Sequence, residues 1–152
     1  FFIKKNKRKI IYFFIVFLII LGVIFFLNLN KKKQQILISE KYIQSGIFLS
    51  QKEVNKAKFL LEEIILSKDK FYSLLALNTI LEKKLVTDKD KVLGYFLLIE
   101  NLNLSDEQID ILKLKKALYL INENEVEEGE KLIKNLIENN STLKEIAEDI
   151  IK

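Results

Sequence analysis

The spacing of Ser141 and Lys144 matches the Ser-x-x-Lys pattern of serine acyl-enzymes. The accompanying Ser-Asp-Asn and Lys-Thr-Gly motifs of those enzymes do not occur in the sequence. Ser141 also stands directly before a helical pattern, where serine is an ordinary N-terminal cap. We therefore interpret Ser141 as the cap of the last helix and expect no nucleophilic catalysis there.

Neighbouring carboxylates are the second feature that could do chemistry, since a pair of them can act as general acid and base. They occur in two clusters: Glu62 with Glu63, and Glu125, Glu127, Glu128 and Glu130. Helical spacing places the second cluster beside Lys131 and Lys134, as on a solvated helix face. We therefore interpret both clusters as exposed surface.

The residue types that are missing exclude most enzyme classes. The sequence has no Cys and no His, so it lacks thiolate ligands, Cys nucleophiles and the commonest general base. Its four glycines are isolated and cannot form a phosphate-binding loop. We therefore expect a protein that is not an enzyme and that holds no metal or other cofactor.

Charge is divided unevenly along the chain. The first 35 residues hold eight basic side chains and no acidic one, whereas residues 36–152 hold 17 basic and 21 acidic side chains. A net negative body repels phosphate, which argues against nucleic acid as a partner. The basic pI of about 9.1 therefore reflects the N-terminal segment.

An uncharged run, residues 10–27, predicts a membrane anchor over residues 10–29. At about 1.5 Å per residue it approaches the roughly 30 Å thickness of the hydrocarbon core. A cleavable signal peptide would have a shorter apolar region and a small-residue cleavage site. We assign residues 1–9 to a basic cytoplasmic N-terminus and residues 30–35 to a basic juxtamembrane linker. Five basic residues before the run and three after it favour a domain outside the cytoplasm.

The rest of the chain, residues 36–152, alternates apolar clusters with short polar breaks at helical spacing. The pattern predicts helices over 36–50, 53–68, 71–85, 89–102, 106–122, 125–138 and 142–152. Alternate helices begin 35, 35 and 36 residues apart, and a period near 34 residues with two helices each is typical of tetratricopeptide arrays. We predict an all-α fold in which one transmembrane helix precedes tetratricopeptide-like antiparallel helix pairs, an α-solenoid that is incomplete at its C-terminus.

Two sets of residues in these pairs carry structural or functional expectations. Small residues that precede an apolar doublet should let the helices of a pair approach closely, and these are Ala57, Gly94 and Gly129. Tyrosines in the first helices of the pairs should face the concave side of the array, where such proteins bind extended segments. These candidates for the partner groove are Tyr42, Tyr72 and Tyr119.

The whole arrangement resembles the YfgM-type family of ancillary subunits of the SecYEG translocon. Three stretches carry the resemblance: "KKNKRKIIYFFIVFLIILGVIFF", "SEKYIQSGIFLSQKEVNKAKFLLEEII" and the segment from "FYSLLALNTILEKK" to "IDILKLKKALYLI". In the last of these, Asp110 and Lys113 match an Asp-x-x-Arg/Lys helix of alphaproteobacterial members. The resemblance implies a single-pass protein of the bacterial inner membrane whose periplasmic domain binds translocon subunits, a periplasmic chaperone and exported chains.

Two other functions fit the same sequence features. The segment could anchor and space a larger enzyme whose catalytic part lies after residue 152. It could also be an assembly factor of another inner-membrane complex built on the same repeats.

Overall fold

The computed structural model describes the backbone of residues 7–151 and the side chains of Tyr12 and of residues 14–151. Every regular element in this range is an α-helix, which confirms the predicted all-α class. Residues 1–6 of the predicted basic N-terminus lie outside the described range. The helices are α1 (Lys7–Ser50), α2 (Val54–Leu66), α3 (Lys70–Glu82), α4 (Lys89–Glu100), α5 (Asp106–Asn122), α6 (Val126–Glu138) and α7 (Lys144–Ile150).

The chain divides into two compact units, Phe1–Leu37 and Ile38–Lys152. In the first unit, the described side chains of helix α1 are all exposed. This helix is long and apolar enough to cross a membrane, as its composition predicts. Residues 30–35, predicted as a linker, lie within α1. They contain no Gly or Pro, and Lys and Gln are good helix formers, so nothing in their sequence ends the helix.

The second unit is held together by two apolar clusters. The larger cluster joins α2, α3, α4 and the start of α5, and Phe96, Leu61 and Leu77 are among its fully buried side chains. The smaller cluster joins the end of α5 to α6 and α7 through Ala117, Ile133, Leu136 and Ala147. From α2 onward each helix packs against the next, and α2 also contacts α4.

Three helices of this unit begin with a side-chain cap. Asp69 accepts hydrogen bonds from the amides of Phe71 and Tyr72 at the start of α3, and Asp88 accepts one from Lys91 at the start of α4. Ser105 and Gln108 form the reciprocal capping box of α5. These bonds satisfy amides that have no partner within the helix and so fix where each helix starts.

Connections between the helices differ in length. Three residues separate α1 from α2 and α5 from α6, and in both turns a residue with positive φ, Lys52 or Asn124, reverses the chain. Six residues, 83–88, separate α3 from α4 because α3 ends early, at Glu82. Val86 in this longer connection is 8% exposed and belongs to the larger apolar cluster.

Helices α2, α4 and α6 share one pattern of burial. In each, the fourth residue after the N-cap is buried and donates its amide to the N-cap carbonyl at 3.0–3.1 Å. These residues are Ala57, Val92 and Gly129. Seven residues further on, each helix again buries an aliphatic side chain: Ile64, Ile99 and Leu136. Helix α3 has the same spacing, with Ser73 and Ile80 buried, so the pattern marks the buried face of a helix and does not set alternate helices apart.

Candidate functional site

Ser141 is placed for structure and not for catalysis. Its hydroxyl donates to Asp110 Oδ2 at 2.5 Å and accepts the amide of Leu143 at 3.1 Å. Helix α7 begins at Lys144 with Leu143 at the cap position, so Ser141 closes the turn before the helix and is not its N-cap as predicted. Lys144 Nζ contacts Asn140 Oδ1 at 3.3 Å, so the Ser-x-x-Lys pair is not assembled.

Several clustered carboxylates form ion pairs that join helices. Glu62 lies 2.9 Å from Lys91, and Glu63 lies 3.1 Å from Lys41. Glu125, at the cap position of α6, pairs with Lys89 at the start of α4. Within the part of the chain that the structure describes, no three acidic side chains gather in a way that could hold a metal ion.

Tyr95 lies buried beside the Glu62–Lys91 ion pair. The ring of Tyr95 is 6% exposed, and its hydroxyl makes no hydrogen bond to any described residue. Burial, followed by the neighbouring Glu62 carboxylate, raises the pKa of Tyr95 to about 12. The Glu62 carboxylate, 2.9 Å from the ammonium group of Lys91, raises the pKa of Lys91, so Lys91 stays charged at neutral pH.

Two of the three predicted groove tyrosines lie together. The rings of Tyr42 and Tyr72 are 6.1 Å apart, and the Tyr42 hydroxyl is 3.2 Å from Thr79 Oγ1. Phe71 packs edge-on against Tyr72 at 5.1 Å. Both tyrosines are half-buried against the larger apolar cluster. They therefore join α1 to α3, and their role as groove residues stays a prediction.

Tyr119, the third predicted groove residue, has a different surrounding. Its ring lies 6.0 Å from Phe96, and one side of it lines a cavity. Burial raises the pKa of Tyr119, and the nearby carboxylates of Glu123, Asp88 and Asp90 raise it further. The structure therefore separates Tyr119 from the other two tyrosines and places it in an acidic environment.

The three predicted small residues do not occupy equivalent positions. Ala57 and Gly129 are buried, and a Cβ built on Gly129 would lie 2.8 Å from the carbonyl oxygen of Ala117. Gly94 is only half-buried, and a Cβ there would meet no atom within 4 Å. The prediction that Gly94 lies at a close helix crossing is wrong, because the register of α4 is shifted by two residues. Val92 occupies the corresponding position.

The longer connection between α3 and α4, residues 83–88, borders a cavity. A concavity of about 530 Å³ lies between α3 and α5, where the connection 83–88 replaces the last turn of α3. Its apolar lining consists of Ile80, Leu81, Val86, Leu118 and the ring of Tyr119. Leu118 is 39% exposed, so apolar surface is accessible to a ligand.

The polar rim of this cavity has two unlike edges. At one edge Asn78 donates to Glu82 at 2.6 Å and accepts a hydrogen bond from Lys115, so these three groups satisfy one another. Elsewhere on the rim, Glu123 and Lys84 form no ion pair with any residue that the structure describes. The rim therefore holds one unpaired carboxylate and one unpaired ammonium group, and the charges of its lining balance.

Sequence reasoning identified Tyr119 but missed the rest of the cavity. The sequence signal that could have indicated the cavity is the connection between α3 and α4. The sequence pattern also makes this connection longer than the others. The sequence pattern predicts that this helix continues to residue 85, because Leu85 extends its apolar run, whereas the structure ends α3 at Glu82. The structure uses Val86 as an anchor of the loop instead.

Comparisons with known proteins find no counterpart for this chain: no family model, no curated protein and no solved structure matches it. The resemblance to the YfgM-type family therefore stays a prediction that depends on the quoted stretches alone.

Proposed function

We propose that this chain is a membrane-tethered scaffold for protein–protein interaction in the bacterial inner membrane, beside the SecYEG translocon. In this proposal α1 crosses the membrane, the N-terminus is cytoplasmic, and the tetratricopeptide-like domain lies in the periplasm. There it engages translocon subunits, a periplasmic chaperone and exported chains.

The observation that carries the proposal is the succession of short helices from α2 to α7, each packed against the next. Helical repeats of this kind form extended interaction surfaces, because successive pairs place equivalent positions side by side. The succession of packed neighbours from α2 to α7, and the contact between α2 and α4, support such an array. Its accessible apolar cavity supports a role in binding.

The anchor supports the proposal through effective concentration. Confinement to the bilayer converts an encounter between two membrane-bound partners into a nearly intramolecular event, so weak contacts suffice to retain a partner. The excess of basic residues before the apolar run supports a cytoplasmic N-terminus.

Affinity purification from intact membranes tests the proposal. The full chain, solubilised in mild detergent, should retain translocon subunits and exported chains, whereas residues 36–152 without the anchor should retain them weakly at equal concentration. A reporter fused after Lys152 that is active only when exported should be active. Equal capture by both forms would remove tethering from the mechanism, and a cytoplasmic reporter signal would overturn the localisation.

A further inference from the structure

Three consecutive lysines, Lys31, Lys32 and Lys33, follow the apolar part of α1. Each is exposed, and none forms an ion pair with any residue that the structure describes. The sequence of the unit to which they belong, Phe1–Leu37, contains no acidic residue, since the first one in the chain is Glu40. These lysines, here called the lysine ring, therefore form a cationic surface whose charge no carboxylate of the same unit compensates.

Helix α1 continues through the lysine ring, so the distance of the ring from the apolar run follows from helix geometry. Residues 10–29 make a helix of about 30 Å, which is the thickness of the hydrocarbon core. Lys31 and Lys33 follow Leu29 by two and four residues, or about 3 and 6 Å along the helix axis. A bilayer measures about 40–45 Å with its headgroups, which leaves a headgroup layer of about 5–7 Å on each side. When α1 crosses a bilayer, the lysine ring therefore lies in that layer.

The lysine ring also covers much of the circumference of the helix. Successive residues of an α-helix are rotated by about 100°, so three consecutive lysines extend over about 200°. Gln34 and Gln35, which are exposed as well, occupy the remaining sector with amide donors. Lysine stems can lie along apolar surface while the ammonium group reaches a polar layer. Lipid phosphates can therefore reach an N–H donor from every side of α1.

We propose that the lysine ring binds the headgroups of anionic phospholipids, so that α1 is surrounded by these lipids in one leaflet. The inference rests on one part of the proposed function, that α1 crosses the membrane, and it adds a lipid ligand to the protein partners named there. Anionic headgroups carry a net negative charge that the ring attracts, whereas a zwitterionic headgroup brings a cation of its own. The preference is the same whichever side of the membrane the ring occupies.

Short-range fluorescence quenching measures which lipids lie next to the lysine ring. The chain has no cysteine, so Gln34→Cys provides a single site for a fluorescent dye on the full chain. The labelled chain is reconstituted in phosphatidylcholine vesicles with a small fraction of nitroxide-labelled lipid, either phosphatidylglycerol or phosphatidylcholine. Phosphatidylglycerol should be enriched beside the dye about three- to fivefold, as expected for one ammonium group near each headgroup. The enrichment should fall as salt is raised, because screening weakens the attraction.

Two triple variants with the same loss of charge separate the lysine ring from the overall charge of the chain. The first carries Lys31→Gln, Lys32→Gln and Lys33→Gln, and its enrichment of phosphatidylglycerol should fall close to one. The control carries Lys52→Gln, Lys83→Gln and Lys131→Gln, all at exposed positions of the helical domain. It should keep the enrichment of the unmodified chain. Replacement of the three ring lysines by Arg conserves the charge and should keep the enrichment as well.

Circular dichroism checks that α1 stays helical in these variants, as expected because Lys, Gln and Arg have similar helix propensities. Equal quenching by the two lipids in the unmodified chain, or equal loss of enrichment in the control variant, would overturn the inference. Inorganic phosphate in place of chloride at equal ionic strength should leave the enrichment unchanged. If it abolished the enrichment, free phosphate and not the lipid headgroup would be the ligand.

The same experiment separates this inference from the proposed function. If neither nitroxide lipid quenches the dye, α1 is not inserted, and both the inference and the proposed tether fail. If both lipids quench equally while the full chain still retains partners from membranes, the scaffold stands and the inference fails. If the enrichment depends on the lysine ring but no translocon subunit is retained, lipid binding stands and the proposed partners fail.

Discussion

Close contact between α5 and α6 depends on the absence of a side chain at Gly129. A Cβ at that position would lie 2.6 Å from Ile121 Cγ1 and 2.8 Å from the carbonyl oxygen of Ala117. Ile121 could move by changing rotamer, but the backbone carbonyl of Ala117 moves only with its helix. The glycine therefore sets how closely the two helices approach.

Alanine substitution at two glycines tests this interpretation. Gly129→Ala should lower the free energy of unfolding by about 1–3 kcal/mol through overpacking, although alanine is the better helix former. Gly94→Ala is the control, since its Cβ meets no atom and helix propensity alone should raise the free energy of unfolding by about 0.5–1 kcal/mol. Urea denaturation of the full chain in mild detergent measures both. Equal effects of the same sign would show that Gly129 is not at a close crossing.

Ionisation of Tyr95 should lower the free energy of unfolding at alkaline pH. Because the pKa of Tyr95 is raised from 10.0 to about 12, the folded state holds this proton more tightly than the unfolded state. The resulting stability is fully present below pH 10 and is lost as the pH rises through about 12; it amounts to about 3 kcal/mol. Tyr95→Phe should flatten this alkaline decline without loss of stability at pH 7, because the hydroxyl has no hydrogen-bond partner to lose. Denaturation at several pH values measures the slope, and an unchanged slope would contradict the assignment.

At the scale of the elements, local signals determine where helices start more firmly than where they end. Ser105 and Gln108 form a capping box at the start of α5, and their Ser-x-x-Gln spacing is a sequence signature of a helix start. Asp69 and Asp88 cap α3 and α4 in a similar way, because their side chains accept hydrogen bonds from backbone amides in the first turn. By contrast, α3 ends three residues before the sequence pattern suggests, and Val86 in the following connection is buried in the core.

The capping box offers a test at this scale. Ser105→Ala should lower the free energy of unfolding by about 1 kcal/mol, because it leaves the Gln108 amide without its acceptor. Ser50→Ala is a suitable control, since the hydroxyl of Ser50 is exposed and bonds only to the carbonyl of its own helix. Thermal unfolding followed by circular dichroism measures both. Equal destabilisation by the two changes would show that the cap has no special role.

The fold and the cavity differ in how far the sequence predicts them. The helical class follows from apolar periodicity, which is strong because a buried face must recur every three or four residues. The long apolar helix α1 follows from the uncharged run, and the repeat arrangement stays a prediction. Equivalent positions in different helices are harder to predict. The small size of Gly94 suggested that it corresponds to Ala57 and Gly129, whereas the structure gives that position to Val92. The cavity depends on where one loop leaves the helix and on side chains of two separate helices, and no local pattern in the sequence encodes that juxtaposition.

For the molecule as a whole, the chain combines one long apolar helix with a helical domain that carries an accessible cavity. Under the proposed function, the apolar helix would raise the local concentration of membrane-bound partners. Neither feature needs a catalytic group, and the side chains with the most suggestive spacing, Ser141 and Lys144, are engaged in separate local hydrogen bonds.

The most direct test of the interaction role is photo-crosslinking in intact membranes from two positions. A photoreactive residue replaces Leu118, on the cavity wall, or Leu97, which is 59% exposed and lies outside the cavity lining. The proposed function predicts that the Leu118 position crosslinks to exported chains or translocon subunits and that the Leu97 position gives little. Absence of protein crosslinks from Leu118, or equal yields from both positions, would contradict it.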